Sequence, residues 1–306
     1  MDGCKYIKRN CPICDSNKQS IKKINSFIKA QELDLNELIP YWNGFFKQKI
    51  FFSYVRCNVC KVQYAPIFFS SQQLELLYKQ MSPNMDIVPL AALIRTQIGY
   101  FNKVRKYSNL ENGYLELGPD IGLFTTNCVK KGAFDKYWLF EPNLNVKNKL
   151  EYVMGNSDFT IINDMNRFTQ VKNNTIGLAV LIHVLDHILD PVKTLIELRE
   201  KLSPEGHILL VTHNEKSILR KIVGNRWPAY CLQHPQLYSP TSMEYLLKKS
   251  GYKVLTIEKT INYFEISFLI KNLFWCFGIK IKKLPRIFDI TIGLRLGNII
   301  TIAIKN

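Results

Sequence analysis

Tyr114 to Phe124 reads YLELGPDIGLF, an apolar run that meets an acid, two glycines and a proline before the chain turns apolar again. It opens a long alternation. Short apolar runs at Tyr114–Leu117, Tyr137–Phe140, Phe159–Ile162, Ile176–Ile182 and His207–Thr212 are separated by stretches of helical period, and Tyr252–Glu258 and Ile299–Ile304 complete the set. The helices carry their own punctuation: Asp190-Pro191 is an N-cap with proline at the first helical position, Ser203-Pro204-Glu205-Gly206 closes that helix, Ser239-Pro240 opens the next and Gly251 ends it. Strands alternating with helices build a mainly parallel sheet covered on both faces, so the expected class is α/β.

With 306 residues, 47% of them hydrophobic, the chain can bury one sizeable core and a small appendage. It is not a disordered protein. The formal net charge of +16 has two readings: a nucleic-acid or anionic-membrane partner, or a compositional bias of the coding sequence that scatters lysine along the chain. The even spread of lysine favours the second. Met1 to Asn10 is polar, unlike a secretory signal, and no uncharged apolar run reaches the ~20 residues that span a bilayer, so a cytoplasmic location is expected.

Cys11-Pro-Ile-Cys14 and Cys57-Asn-Val-Cys60 are two CxxC knuckles. Each is a tight turn that aims two thiolates at one point, and a pair completes a tetrahedral Zn²⁺ site. Four thiolate ligands leave no position for substrate, so the expected zinc is structural. The gap between knuckles predicts an inserted segment, residues 21–50, that loops out, and Cys4 is a further, weaker ligand candidate. Cys128, Cys231 and Cys276 stand alone and read as small buried residues. A helix over Ser71–Met81, a two-proline boundary in SPNMDIVP and a second helix over Leu90–Ser108 divide the chain into a Cys4 domain at 1–82, a helical linker at 83–111 and an α/β domain at 112–306.

In such sheets ligands lie beyond the carboxyl ends of the strands, which places a site at Gly118–Gly122. Gly118 permits a sharp turn and close approach, and Glu116 can attract an amino cation. Glu141, at the end of the second strand, can accept hydrogen bonds from both hydroxyls of a ribose. Together they describe S-adenosylmethionine.

From about Tyr114 onward the chain resembles class I S-adenosylmethionine-dependent methyltransferases that act on small molecules. LELGPDIG is similar to the family's first motif, with Glu116, Gly118 and Gly122 matching and Asp120 in place of the middle glycine. FEPN resembles the second, and INDM the third. VLIHVLDHILDP with LREKLSPEGHILLVTHN resembles the fourth-strand region. The resemblance implies a Rossmann-like seven-stranded sheet with a small N-terminal zinc-binding domain. It also implies cofactor binding by Glu116, Gly118, Asp120, Gly122, Glu141, Asp164 and Met165, with Asp164 on the adenine amino group and Met165 on the ring.

CPxC, a second CxxC and an LYKQM-like helix before this domain resemble methyltransferases of sugar and polysaccharide biosynthesis, including sugar C-methyltransferases. AYCLQHPQLYSP resembles their Tyr/Glu-His segment, which implies His234 as the base beside a sugar-like acceptor, with Gln233 departing from the family's acid. O-methylation then gains on C-methylation. Tyr230 and Tyr238 can orient the acceptor. His183 and His187, with Asp186, read as pocket lining or as an incomplete metal pair, and His183 joins the candidate catalytic residues. His213 can face the acceptor, while His207 reads as a surface residue.

Two other classes stay open. An RNA methyltransferase with four zinc ligands before the same fold suits the charge, but the fourth strand ends in IHVLD and lacks the Asn/Asp-Pro-Pro-Tyr that grips a flipped base. A non-catalytic homologue that only binds cofactor is the other, since fold does not fix function. The aromatic and basic stretch at 266–286 can be a lid, a dimer face or a peripheral membrane contact.

Overall fold

The computed structural model describes residues 6–42, 50–79, 88–165 and 167–306. Cys4, the end of the first expected helix at Met81 and most of the proline boundary lie outside these residues. Seven strands form one sheet: β1 (Glu111–Leu117), β2 (Ala133–Phe140), β3 (Phe159–Ile162), β4 (Ile176–Ile182), β5 (Leu202–His213), β6 (Tyr252–Lys259) and β7 (Asn298–Lys305). Their order is β6-β7-β5-β4-β1-β2-β3, with β1 to β5 joined by parallel pairings and β7 antiparallel to both neighbours. The α/β class and the seven strands are as expected, in a mixed sheet.

Period-two alternation sorts the strand residues between two cores. Leu115, Leu117, Ala179 and Leu181 face one side, against Leu195, Leu198 and Met243. Tyr114, Leu178 and Val180 face the other, against Phe101, Phe124 and Leu150. Because both faces are covered, β4 reads IGLAVLI with no polar residue and is buried almost throughout. The helix Pro191–Lys201 ends where expected, but Ser203 to Gly206 do more than close it: the strand already begins at Leu202, and the register jumps from Ile176↔Leu202 to Leu178↔His207. The four residues are a bulge in β5. His207, at this register step, is half-buried.

The chain fills β3, β2 and β1 on one side and then crosses to β4 on the other side of β1. The carboxyl ends of β1 and β4 are therefore the point where connections diverge, the place where such sheets bind ligands.

The N-terminal region is welded to this sheet. Gln63–Tyr64 pairs with Val55–Arg56 on one side and with Gln236–Leu237 of the α/β region on the other. Arg56 reaches the buried Glu215 carboxylate with two bonds of 2.8 Å. Cys11, Ile13, Cys57 and Val62 belong to the same buried cluster as Leu115 and Leu181. The described part of the inserted segment does not loop out. Ile24 pairs with Tyr54 and Lys29 with Phe51, and Ala30, Leu38 and Trp42 join an aromatic core with Phe51, Phe52, Phe68, Phe69, Trp227 and Tyr230. Apolar residues at 30, 38 and 42 are too costly to leave in water, so the insertion folds back.

Candidate active site

β1 delivers Glu116 and Leu117 into a turn that only certain residues can make. Gly118 has φ +64°, and a Cβ there would lie 2.6 Å from Cγ2 of Val184. Glycine is required by conformation and by space. Asp120 adopts φ 50° and Gly122 φ 75°, and Gly122 leads directly into the helix Leu123–Lys131. The Glu141 carboxylate ties the turn to β2: one oxygen accepts the Asp120 N–H and the other the Asn143 N–H, each at 2.9 Å. Each oxygen keeps a lone pair that a ribose hydroxyl can use.

Glu116 is buried, and its Oε2 accepts the hydroxyls of Tyr114 and Thr125, both at 2.5 Å. Oε1 has no hydrogen-bond partner among the described residues, which leaves it for a cation. Burial lifts the Glu116 carboxyl to about 7 against those two bonds, and burial lifts Glu141 to about 6. Met165 packs above the turn, its Cε 3.9 Å from the position of a Gly118 Cβ. Asp164 is partly exposed and lies 3.4 Å from Nε of Arg167.

The four cysteines come together as the spacing suggested. Sγ of Cys11 lies 3.3 Å from that of Cys60, Sγ of Cys14 lies 3.5 Å from that of Cys57, and all four sulfurs fall within 4.8 Å of one another. Zn–S bonds of ~2.3 Å in a tetrahedron put sulfurs roughly 3.8 Å apart, so the cluster has the dimensions of a Zn(Cys)4 shell. The knuckles are near copies. Cys11 N–H donates to Ser16 and Cys57 N–H to Val62, and the residue after each second cysteine, Asp15 and Lys61, has positive φ.

Beyond the carboxyl ends of β4 and β5 four of the five histidines meet. His183 follows β4 with φ 55°, an uncommon backbone for a non-glycine residue, and its N–H donates to Val211 of β5 at 2.8 Å. Its ring lies 4.8 Å from that of His213, which lies 4.9 Å from His234, which in turn lies 4.6 Å from His187. Tyr78 bonds Nδ1 of His187 at 2.9 Å. Asp186, with no exposed surface, accepts both the backbone N–H of His213 at 3.0 Å and its Nδ1–H at 2.9 Å through one oxygen.

That pairing fixes the His213 tautomer and leaves Nε2 as the basic nitrogen. Burial raises the Asp186 pKa, but the His213 bonds outweigh it and hold the carboxyl below its usual range. Burial drives the His183 pKa down to about 3 and that of His187 well below its usual value, so both rings are neutral. His234 goes the other way: against the cost of burial, the Cys231 sulfur, Asp186 and the Ala229 carbonyl lift it to about 9. Ligand atoms of His183, Asp186 and His213 also lie within 4.8 Å of one another. The two His213 hydrogen bonds occupy Oδ2 of Asp186, while Oδ1 of Asp186 and Nδ1 of His183 are buried with no hydrogen-bond partner among the described residues.

A family model described as a methyltransferase domain matches residues 93–257. The chain belongs to this methyltransferase family. The Gly118–Gly122 turn, Glu141, His183, Asp186 and His213 all fall within the matched residues, and His234 does as well. Among curated proteins no sequence matches. A chain in the complex between the Haloferax volcanii Trm112 methyltransferase activator and a methyltransferase superimposes with a TM-score of 0.51 at 11% identity, over 70% of this chain and 92% of that one. S-adenosylmethionine-dependent methyltransferases from Mesorhizobium loti (TM-score 0.47, 14% identity, 67% and 97% covered) and Clostridium acetobutylicum (0.47, 12%, 69% and 91%) are similar as well. At such identities the likeness concerns fold.

Of the acceptor-side residues expected from sequence, His183 and His234 reach the cluster and Tyr230 does not. Its hydroxyl donates to Gln63 and accepts from Arg220, and its ring stacks on Phe51, so it is a fully buried strut between the N-terminal region and the sheet. Tyr238 is buried too, with its hydroxyl near the Leu185 carbonyl. The Asp186–His213 pair was not legible as a pair. Its only trace in the sequence is that HVLDH and VTHN end consecutive core strands.

Proposed function

We propose that this methyltransferase methylates a small polar, sugar-like acceptor on oxygen, with His213 as general base, and that Cys11, Cys14, Cys57 and Cys60 hold a structural zinc ion. The observation that carries the reading is the Asp186–His213 pair beside Gly118. Val184, two residues before Asp186, touches the position of a Gly118 Cβ, so the loop that holds His213 lies against the turn. S-adenosylmethionine supplies a methyl group on a sulfonium sulfur. Oε1 of Glu116 would receive its amino cation, Glu141 its ribose hydroxyls and Asp164 the adenine edge, while Met165 would cover the ring.

His213 would take the acceptor's hydroxyl proton on Nε2 while the S–CH3 bond gives way to O–CH3 and S-adenosylhomocysteine leaves, and the buried Asp186 carboxylate would stabilise the imidazolium. His234, raised to about 9, is a cation at neutral pH and suits an electrostatic role toward the acceptor oxygen better than proton abstraction. The neutral rings of His183 and His187 offer hydrogen bonds to neighbouring hydroxyls. A polyhydroxylated acceptor matches so many polar rings in one wall.

A panel of nucleotide sugars assayed with labelled S-adenosylmethionine tests the substrate class, and methylation of RNA with none of the panel would overturn it. With an acceptor in hand, His213→Asn should lower kcat by roughly 10² to 10⁴ while S-adenosylhomocysteine binding persists. Asp186→Asn should lower it as well. Near-normal turnover in His213→Asn, with turnover lost in His234→Ala, would return the base to His234.

A further inference from the structure

Three segments far apart in sequence, residues 21–30, 216–226 and 266–286, hold twelve Lys or Arg and no Asp or Glu. The fold gathers them. Phe27 and Ile28 from the first, Ile222 and Arg226 from the second and Phe277 from the third line one open cleft of about 690 Å³, with no acidic residue among its described walls. The Arg226 guanidinium lies 5.4 Å from the centre of the Phe277 ring. Three segments rich in Lys and Arg and free of acids thus share one surface, with Arg226 in the cleft wall.

The same surface is apolar where a soluble protein usually is not. Phe27 is fully exposed, Ile222 is 65% exposed, and Phe274, Trp275, Phe277 and Ile279 form an exposed run at the end of the helix Ile266–Cys276. Lys280, Lys282 and Lys283 follow at once and are exposed. Aromatic and aliphatic side chains with a lysine fringe describe an interfacial element, whose apolar groups enter the acyl boundary while the cations meet headgroups. No described helix is long and apolar enough to cross a membrane.

We infer that this face docks on an anionic lipid surface. Nucleic acid fits it less well, because nucleic-acid sites are polar and have no use for exposed Ile222, Leu273 and Ile279. A second copy fits less well again, since it would set cations against cations with no acid in these segments to pair them. The face also backs onto the acceptor wall. Trp227, next in the chain to Arg226, packs 6.2 Å from the His213 ring, so a bound membrane would lie near the acceptor end of the active site.

Sedimentation with vesicles of phosphatidylcholine containing about one-third phosphatidylglycerol, at moderate salt, tests the inference. The full chain should bind these at least about tenfold better than pure phosphatidylcholine. The variant Lys280→Glu/Lys282→Glu/Lys283→Glu should lose more than about tenfold in vesicle affinity, and Ile222→Ser/Phe277→Ser should also weaken it, both with S-adenosylhomocysteine binding unchanged as proof of folding. Failure of the wild-type chain to sediment with anionic vesicles would overturn the proposal. So would unchanged binding in both variants, a concentration-dependent dimer that covers the face, or capture of an RNA oligonucleotide with no affinity for vesicles.

Discussion

The Tyr54 hydroxyl donates to the backbone carbonyl of His234 at 2.5 Å. One residue on, the Pro235 carbonyl accepts the Ala65 N–H at 2.9 Å, and Gln236 then pairs with Tyr64. The strand after the second knuckle is thus paired with the one after His234, which ties the histidine cluster to the N-terminal region. Tyr54→Phe should leave that carbonyl buried with one bond fewer and lower stability by about 1 to 3 kcal/mol. Thermal denaturation measures it. Turnover should fall with S-adenosylhomocysteine affinity within about twofold of wild type, because the hydroxyl bonds the Cys231 and His234 carbonyls and not the Gly118–Gly122 turn.

Metal analysis of protein purified without chelator should find about one zinc per chain, the capacity of a single four-thiolate shell. Cys57→Ser should lower the melting temperature and solubility, since metal binding and folding of such a shell are one equilibrium. Protein with no zinc and wild-type stability would remove the metal from the account.

Glu141→Ala removes the tie to the Asp120 and Asn143 N–H groups and, on the proposed reading, the acceptor for two ribose hydroxyls. Charge-assisted bonds of roughly 1.5 to 3 kcal/mol each predict at least a tenfold loss of S-adenosylhomocysteine affinity by calorimetry. Unchanged affinity would mean that the turn holds a different ligand.

The pH dependence of that affinity should report Glu116. Its carboxyl, lifted to about 7 by burial, is largely protonated in the free protein below neutrality, and only its ionised form attracts an amino cation. Affinity should rise from pH 5.5 to 8, and Glu116→Gln should flatten the rise. Stability runs the opposite way for this group. The folded state holds the proton more tightly than the unfolded one, whose carboxyl titrates near 4.5, so the contribution is full below 4.5 and is lost as pH climbs through about 7.

Gly118→Ala should abolish cofactor binding, because φ +64° and a 2.6 Å approach to Val184 cannot both be relieved. Asp120→Gly acts in the other direction. It removes a side chain from a position of φ 50° and should leave S-adenosylhomocysteine affinity equal or higher.

Local chemistry made much of this protein readable from its sequence. Seven apolar runs with helical stretches between them dictated an α/β sheet, since period and punctuation are properties of neighbouring residues. The turn at Gly118–Gly122, Glu141 at a strand end and the two knuckles were visible for the same reason, because each is a short segment whose spacing sets its geometry. Tertiary structure decided the rest. His183, His213 and His234 meet because β4 and β5 are adjacent and the Gln63–Tyr64 strand draws residues 234–237 inward, and no local rule encodes that adjacency. Tyr230 sat in a segment that resembled an acceptor site, yet Gln63 and Arg220 claim its hydroxyl from distant positions. Residues 21–30, 216–226 and 266–286 are far apart in sequence, yet Phe27, Ile222, Arg226 and Phe277 share one cleft. Proximity in a fold comes from strand order and packing, which a linear count of charges or histidines does not contain.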